Sequence, residues 1–177
     1  LEKRPEIIVG ESLVPAIIPM LRALGVEDEV KSYSTYKPGA SVWVSKDEEA
    51  TSPFSYGGGN LPPYAYNVPR VKFDKTIFEN ALKEGVRFFN LAAKIEKTGN
   101  NDELKLSDDT IAGTNGYFDA QPDLIVDATG RSRTISRLLD IPTKQGYRKD
   151  VALFAHLSGA EKIEPYNIHL HRLEKGW

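Results

Sequence analysis

The segment Asp123–Leu139, DLIVDATGRSRTISRLL, indicates the fold class. Its apolar run Leu124–Val126 is typical of a buried parallel strand, and apolar residues then recur at helical spacing from Ile135. The segment therefore predicts a strand, a turn at Gly130 and a helix. In open α/β sheets such a turn places ligands beside the helix N-terminus, where free amides can face a pyrophosphate. An ordinary turn that binds nothing explains the same pattern.

Length and composition limit the class of protein. The chain has 177 residues, no cysteine and a net charge of −2. It is long enough for one domain with a hydrophobic core, and it can form neither a disulfide framework nor a thiolate zinc site. Charges of both signs are scattered, and no apolar run is long enough to span a bilayer. We expect a cytoplasmic protein without a nucleic-acid or membrane partner.

Both ends of the chain are abrupt. Leu1–Pro5 looks like the end of a strand with nothing before it, and the sequence stops at Gly176 and Trp177. We therefore expect one fragment, 1–177, of a longer protein.

Local signals predict the first two helices and one hairpin. Ser12 is the predicted N-cap of a helix that ends at Gly25, and Pro19 requires that helix to be kinked or to begin late. Asp74 is the predicted N-cap of a second helix, which ends at Gly85. The segments Lys94–Lys97 and Glu103–Leu106 are predicted to form a hairpin, Thr110–Phe118 weak strand and turn, and Gly57–Gly59 a loop tip.

The organisation is mixed α/β (α+β), with a cofactor-binding layer beside a substrate sheet. Residues 1–35 and 72–149 are assigned to the cofactor-binding part, with parallel strands at Val86–Leu91 and Leu124–Asp127. Residues 36–71 and 150–177 are assigned to the antiparallel substrate-side part. Its strands are predicted at Ser41–Ser45, with Val42 and Val44 on one face, at Tyr64–Val71, and at Val151–Ser158 paired antiparallel with Asn167–Leu173.

The histidines form no predicted metal site. His169 and His171 share one face of a strand, but two imidazoles without a cysteine or a nearby carboxylate are weak evidence for a metal. We interpret them as residues of a sheet surface, and His156 as a partly buried strand residue.

Six short segments, taken in order and spacing, resemble a known family. They are Leu1-Glu2-Lys3, Gly10–Pro15, Tyr36–Ala40, Val68–Asp74, Asp127–Ser132 and Gly176-Trp177. The chain resembles FAD-dependent oxidoreductases related to para-hydroxybenzoate hydroxylase, and among them the flavin-dependent, tryptophan-halogenase-like halogenases. The resemblance implies a Rossmann-like parallel layer that binds FAD and an antiparallel substrate-side sheet. The family's glycine-rich pyrophosphate turn would precede Glu2 and is absent from this sequence.

The resemblance also implies a set of FAD-binding residues. Glu2 would accept hydrogen bonds from the adenosine ribose, because a carboxylate can accept from two hydroxyls. Glu11 and Ser12 would lie beside the isoalloxazine ring, and Arg70 near the ring and the ribityl chain. The full set is Glu2, Lys3, Gly10, Glu11, Ser12, Arg70, Lys94, Ala128, Thr129 and Gly130. Without the family, a charged chain end, a helix cap and an exposed strand arginine explain these residues.

Catalysis is assigned by the resemblance to Lys37, Glu11 and Ser12. Reduced flavin from a separate reductase, O2 and halide would yield hypohalous acid. Lys37 would pass its halogen to an electron-rich small molecule, which is free or bound to a carrier protein. The amine can form a haloamine, or the ammonium can donate a hydrogen bond to the acid, and burial would lower the pKa of this lysine. A solvated turn lysine is the alternative.

Two other functions fit the same residues. One is a flavin monooxygenase or a geranylgeranyl-reductase-like enzyme, because the Gly10–Pro15 segment is shared with the latter. The other is a non-catalytic nucleotide-binding domain, for which the missing phosphate turn argues.

Overall fold

The computed structural model describes residues 8–57, 59–99, 103–144, 146–161 and 163–176. Its helices are α1 (Ile18–Ala23), α2 (Glu27–Tyr33), α3 (Arg70–Lys83), α4 (Asp108–Ala112) and α5 (Thr134–Leu138). Its strands are β1 (Thr35–Lys37), β2 (Gly39–Trp43), β3 (Glu49–Pro53), β4 (Ala65–Asn67), β5 (Ile95–Thr98), β6 (Glu103–Leu106) and β7 (Ile168–His171). The predicted mixed α/β class is confirmed. No helix among the described residues is long and apolar enough to cross a membrane.

The chain forms two compact units. The first contains the described residues up to Arg87 together with those from Leu153 onward, and the second contains Phe88–Ala152. Residues 8–35 and 36–71 therefore lie in one unit. Their assignment to a cofactor-binding and a substrate-side part stays a prediction.

The core of the first unit joins α1 and α2 to the segment around β4. Its fully buried side chains are Ile18, Leu21, Val26, Val30, Tyr66 and Val68. Ile18 and Leu21 are three residues apart and so share one face of α1. Burying each large apolar side chain stabilises the fold by roughly 1.5–3 kcal/mol. This core holds β4, and through it β1, in place.

Two small sheets complete the first unit. In one, β1 pairs antiparallel with β4, with Thr35 opposite Asn67 and Lys37 opposite Ala65. In the other, β2 lies between β3, which is antiparallel to it, and β7, which is parallel. Only Pro38 separates β1 from β2, so Lys37 lies where the two sheets meet.

The antiparallel partner predicted for the last strand is wrong. Residues 151–158 form no strand and are exposed, and β7 instead pairs in parallel with β2. Alternation of apolar residues predicts that one face of a strand is buried, but it does not determine which other strand lies beside it. Here β2 is the neighbour, although it lies more than 120 residues earlier in the chain.

Val42 and Val44 share one face of the strand as predicted, and this face is the exposed one. Ser41 is 2% exposed, whereas Val42 is 37% exposed. Ser41 is buried at no cost in hydrogen bonding, because Thr51 and Asn167 both contact its hydroxyl. Of the strand predicted at Tyr64–Val71, only β4 forms.

The second unit contains the predicted hairpin. β5 and β6 pair antiparallel, and α5 forms close to its predicted place, so both predictions are confirmed. The parallel strands predicted at Val86–Leu91 and Leu124–Asp127 are wrong, since neither segment pairs with another strand among the described residues. Leu124 is 77% exposed. A parallel strand is buried when other strands and helices cover it, and this segment pairs with no strand among the described residues.

Two helices do not begin at their predicted N-caps, and a third helix forms where a weak strand was predicted. Ser12 caps no helix, because it forms a β-bridge with Asn67, and α1 begins late, at Ile18, as Pro19 requires. α3 begins at Arg70 rather than at Asp74. α4 replaces the weak strand predicted from Thr110, since the Ser107 hydroxyl accepts a hydrogen bond from the Thr110 amide and caps the helix. Gly25 and Gly85 follow α1 and α3 as predicted, each with positive φ.

Gly39 lies where β2 and β3 pack closely against each other. A Cβ at this position would lie 2.7 Å from the Ser52 carbonyl oxygen and 3.1 Å from the Pro53 Cα. We expect Gly39→Ala to lower the free energy of unfolding by about 1–3 kcal/mol, the usual cost of overpacking. Gly146→Ala is the control in denaturant titrations, because no atom lies within 4 Å of its Cβ position. Equal stability of the two variants would contradict this packing.

Candidate functional site

The candidate site is centred on Lys37, the last residue of β1. Its side chain is 1% exposed, which is rare for a lysine. Residues alternate across a strand, so Tyr36 faces outward and is 49% exposed while Lys37 faces inward. The Pro38-Gly39 turn lets the chain leave one sheet and enter the next directly after this lysine.

The hydrogen-bond partners of the Lys37 side-chain nitrogen are neutral groups. Its Nζ donates a hydrogen bond to the Ser12 hydroxyl oxygen at 2.5 Å and another to the Leu13 carbonyl oxygen. The Phe54 ring lies 5.7 Å from Nζ, measured to the ring centroid. The bridge between Ser12 and Asn67 places Ser12 beside β4, the neighbour of β1. Ser12 and Lys37, which are 25 residues apart, are therefore brought together.

Burial sets the protonation of this lysine. No carboxylate among the described residues forms an ion pair with Lys37. Removal from water disfavours the charged form, and this desolvation lowers the pKa of Lys37 from its ordinary value of 10.5. The result is an amine that deprotonates more readily than a surface lysine and thus becomes nucleophilic at lower pH.

Glu11 lies at a second, more exposed position. Its carboxylate is 42% exposed and contacts the His156 ring at 3.2 Å, from Oε1 to Nε2. Hydrogen bonds from its own backbone amide, then from His156 and the Gly10 amide, hold the pKa of the Glu11 carboxyl below its ordinary value, against the opposing effect of partial burial. The prediction of a partly buried strand for His156 is wrong, because the residue is exposed in a loop.

Arg70 is held beside the Gly10 backbone. Its Nη1 donates to the Val9 carbonyl oxygen at 2.6 Å, and its Nε donates to Asp74 at 3.0 Å, one turn further along α3. Gly10 has φ +103, a backbone conformation that favours glycine, and a Cβ there would lie 2.7 Å from Nη1 and would displace the guanidinium. The guanidinium is fixed in position and remains 27% exposed.

In the turn around Gly130, two backbone amides are hydrogen-bonded within the turn itself. The Asp127 carboxylate accepts hydrogen bonds from the Thr129 hydroxyl and amide and from the Ile135 amide, which lowers the pKa of Asp127. These two amides are therefore not free for a pyrophosphate, contrary to the simplest prediction. Gly130 has φ +59, and no atom lies within 4 Å of its Cβ position, so there is open space beside it.

The remaining predicted residues divide between the units. Gly10, Glu11, Ser12, Lys37 and Arg70 lie in the first unit, and Lys94, Ala128, Thr129 and Gly130 in the second. The Lys94 amide donates to the Thr110 hydroxyl, which fixes the start of β5. Glu2, Lys3 and Trp177 lie outside the described residues. Among the described residues, no group of three histidine, aspartate or glutamate side chains is arranged to hold a metal.

Sequence reasoning missed the residues that come from the end of the chain. His156 contacts Glu11 from 145 residues away, and Asn167 contacts Ser41 from 126 residues away. No periodicity could identify such pairs. The signal for Lys37 was local, a lysine directly before a Pro-Gly turn.

The comparisons with known proteins give relatives along most of the chain. A flavin-dependent halogenase of Armillaria mellea is 30% identical over 167 residues, which are 91% of this chain and 32% of the relative. A flavin-dependent halogenase of Aspergillus carbonarius is 30% identical over 176 residues, 93% of this chain and 34% of the relative. The chain thus spans about a third of the length of these curated relatives. No family model matches it.

A solved structure has the same fold over most of the chain. A flavoprotein/dehydrogenase from Cytophaga hutchinsonii superposes with a TM-score of 0.60 at 27% identity, over 82% of this chain and 36% of that protein. Its flavoprotein fold agrees with the fold that the six sequence segments imply.

Proposed function

Because this chain is a homologue of flavin-dependent halogenases over 91% of its length, we propose that it is part of a FAD-dependent halogenase. In this proposal Lys37 passes the halogen to an electron-rich small molecule. The observation that carries the proposal is the burial of Lys37 without a carboxylate partner among the described residues. A buried lysine without an ion-pair partner destabilises the fold. A chemical role therefore explains the presence of Lys37 better than packing does.

Two places in the chain suit a flavin nucleotide. Around Gly10, the carboxylate of Glu11 and the fixed guanidinium of Arg70 offer an acceptor and donors at a partly exposed surface. Beside Gly130 there is open space for a polar group, and the nearby Asp127 carboxylate is an acceptor for hydroxyls. Glu2, Lys3, Lys94, Ala128 and Thr129 complete the proposed set. When bound, FAD supplies the oxidation of halide by O2 to hypohalous acid.

Lys37 carries the step that the protein itself performs. As a free amine, Nζ attacks the halogen of hypohalous acid, and water leaves as the N–X bond forms. The haloamine then transfers its halogen to the substrate ring, and the ring proton replaces it on Nζ. If Nζ is protonated, it instead donates a hydrogen bond to the acid oxygen, which makes the halogen more electrophilic. In both cases Ser12 and the Leu13 carbonyl hold Nζ in place.

The proposed enzyme depends on several partners, and different parts of the chain bind the cofactor and the substrate. A separate reductase supplies reduced flavin, and halide, O2 and a small-molecule substrate, free or carrier-bound, are consumed. Residues 1–35 and 72–149 contribute to FAD binding, and residues 36–71 and 150–177 to the substrate side. Glu11 acts beside the flavin ring, where its carboxylate can accept hydrogen bonds.

The test is product formation with the purified full-length protein, FAD, a flavin reductase and bromide. We expect FAD absorbance to remain with the protein through gel filtration, and bromide-dependent brominated product from electron-rich aromatic compounds. A hydroxylated or reduced product without bromide dependence would favour the monooxygenase or reductase alternative. A protein that retains no flavin would favour the non-catalytic domain.

Ser12 positions the amine in this proposal. We expect Ser12→Ala to lower kcat for halogenation about threefold to tenfold, the equivalent of one lost hydrogen bond of about 0.5–1.5 kcal/mol. KM should change little, because in this proposal the hydroxyl acts through its hydrogen bond with Lys37. Ser12→Thr keeps an oxygen at the same position and is the matched control. An unchanged kcat in Ser12→Ala would exclude this role.

A further inference from the structure

A cavity of about 350 Å³ in the first unit lies apart from Lys37, and its volume is within the range of small-molecule sites. Its lining consists of three residues of α2 and three tyrosines, namely Glu27, Asp28, Lys31, Tyr36, Tyr64 and Tyr66. Successive residues of a strand point to opposite faces, so Tyr36 and the neighbouring Lys37 lie on opposite faces of β1. A ligand in this cavity is therefore separate from the candidate site around Lys37.

The three tyrosines form one packed group. Tyr36 and Tyr66 lie directly opposite each other in the β1–β4 pair. The Tyr64 ring stacks on the Tyr36 ring, with centroids 5.4 Å apart, and meets the Tyr66 ring edge-on at 5.6 Å. Tyr66 is 2% exposed, whereas Tyr36 is 49% exposed. Tyr36 therefore offers a ring that a ligand can reach, and the other two rings support it.

The Glu27 carboxylate is already bound by groups of the protein. Its Oε1 accepts hydrogen bonds from the Tyr64 hydroxyl at 2.5 Å and from the Tyr66 hydroxyl at 3.3 Å. Its Oε2 forms an ion pair with Arg22 at 2.6 Å. Because Arg22 balances its charge, Glu27 fixes α2 against the tyrosines but adds no net charge to the cavity.

Asp28 and Lys31 are the remaining charged groups of the cavity. Both residues are exposed, and neither side chain forms a hydrogen bond or an ion pair with another described residue. They are three residues apart on α2 and are therefore neighbours on its surface. The cavity thus combines an accessible aromatic ring with one negative and one positive group.

We infer that this cavity binds a small zwitterion that carries a substituted ammonium group and a carboxylate. The face of an aromatic ring attracts an ammonium group, and the opposite charge of Asp28 adds to this attraction. Lys31 can then pair with the carboxylate. A ligand with only a positive charge would be repelled by Lys31, and one with only a negative charge by Asp28, whereas a zwitterion matches both.

Four compounds of nearly the same shape serve as probes. Glycine betaine has both charges, choline has only the ammonium, 3,3-dimethylbutanoate has only the carboxylate, and 3,3-dimethylbutan-1-ol has neither. Binding to the purified full-length protein is measured by ligand-observed NMR titration at low ionic strength, because salt screens exposed charges. We expect glycine betaine to bind about tenfold tighter than 3,3-dimethylbutanoate and about threefold tighter than choline.

Variants assign each preference to its residue. Asp28→Asn and Tyr36→Leu should each reduce the preference for glycine betaine over 3,3-dimethylbutanoate to about threefold or less. Tyr36→Phe retains the ring and should keep this preference. Lys31→Gln should keep it as well, but should abolish the preference for glycine betaine over choline. The matched controls are Asp47→Asn and Tyr56→Leu, which change exposed residues outside the cavity lining and should keep both preferences.

Two results would overturn the inference. The first is glycine betaine that binds no tighter than choline or 3,3-dimethylbutanoate, which would mean that the cavity does not match a zwitterion. The second is a full preference over 3,3-dimethylbutanoate in both Asp28→Asn and Tyr36→Leu, which would place the binding elsewhere. Halogenation is not part of this test, so the zwitterion site and the proposed role of Lys37 can fail independently.

Discussion

Lys37→Ala is expected to abolish halogenated product while FAD binding and oxidation of the flavin by O2 stay nearly unchanged. The reason is the order of events, because the lysine acts only after hypohalous acid has formed. We expect product to fall by roughly 10³-fold or more, the scale seen when a residue that carries covalent chemistry is removed. The measurement compares halogenated product with flavin reoxidation in the same reaction, with a flavin reductase supplied.

Lys37→Arg should not restore activity. A guanidinium stays protonated at all accessible pH values and cannot form the same haloamine. Lys31→Ala, which removes an exposed lysine of α2, is the control and should halogenate at the rate of the unmodified protein.

A Lys37→Ala variant that halogenates normally would show that this lysine is buried for packing alone. A variant that loses FAD together with activity would instead give Lys37 a structural role at the cofactor site. Only loss of product with intact flavin turnover supports the proposed halogen transfer.

Local chemistry explains which parts of the fold the sequence predicts. The late start of α1 follows from Pro19, whose ring does not fit a helix interior. The β5–β6 hairpin follows from two short strands that are close in sequence. Such features depend on a few neighbouring residues, and the sequence contains them in full.

The unpredicted parts depend on pairing between distant segments. β7 could have paired with several strands, and its choice of β2 depends on contacts such as Asn167 with Ser41. Ser41 is buried because partners from β3 and from the end of the chain satisfy its hydroxyl, so hydropathy alone assigns it to the wrong face. The apolar run at Leu124 shows the opposite case, a strand-like sequence without a strand partner in the described residues.

The candidate site also combines features that the local sequence predicts with features that depend on contacts between distant segments. The Lys37 turn and the Ser12 segment are recognisable in the sequence, and the structure joins them through one hydrogen bond. The resemblance names these residues, but it gives no reason for the low exposure of Lys37, which follows from the junction of two sheets.

Lys37→Met is expected to make the protein more stable and inactive. Methionine has a similar length and no charge, so the variant removes the cost of desolvating an ammonium group. We expect the free energy of unfolding at pH 7 to rise by about 1–2 kcal/mol, a typical gain when a functional residue is replaced by one that suits the fold. The gain is reduced by the lost contact with the Leu13 carbonyl oxygen.

The pH dependence of this difference identifies its cause. Burial lowers the pKa of Lys37 in the folded protein, so between that value and the ordinary value of 10.5 the unfolded chain binds more protons. The stability of the unmodified protein therefore rises with pH through this range. The cost of the buried charge is complete below the folded-state pKa and disappears above 10.5.

The advantage of Lys37→Met should consequently shrink as the pH is raised from 7 to 10. Urea titrations of both proteins at several pH values measure it, and tyrosines that titrate near pH 10 cancel because both proteins contain them. Lys31→Met, at an exposed position, should show neither the gain nor its pH dependence. A Lys37→Met advantage that is constant from pH 7 to 10 would mean that Lys37 binds its proton equally well in the folded and the unfolded protein, as a solvated lysine does. A less stable variant would mean that the hydrogen bonds of Nζ to Ser12 and Leu13 outweigh the cost of burying it.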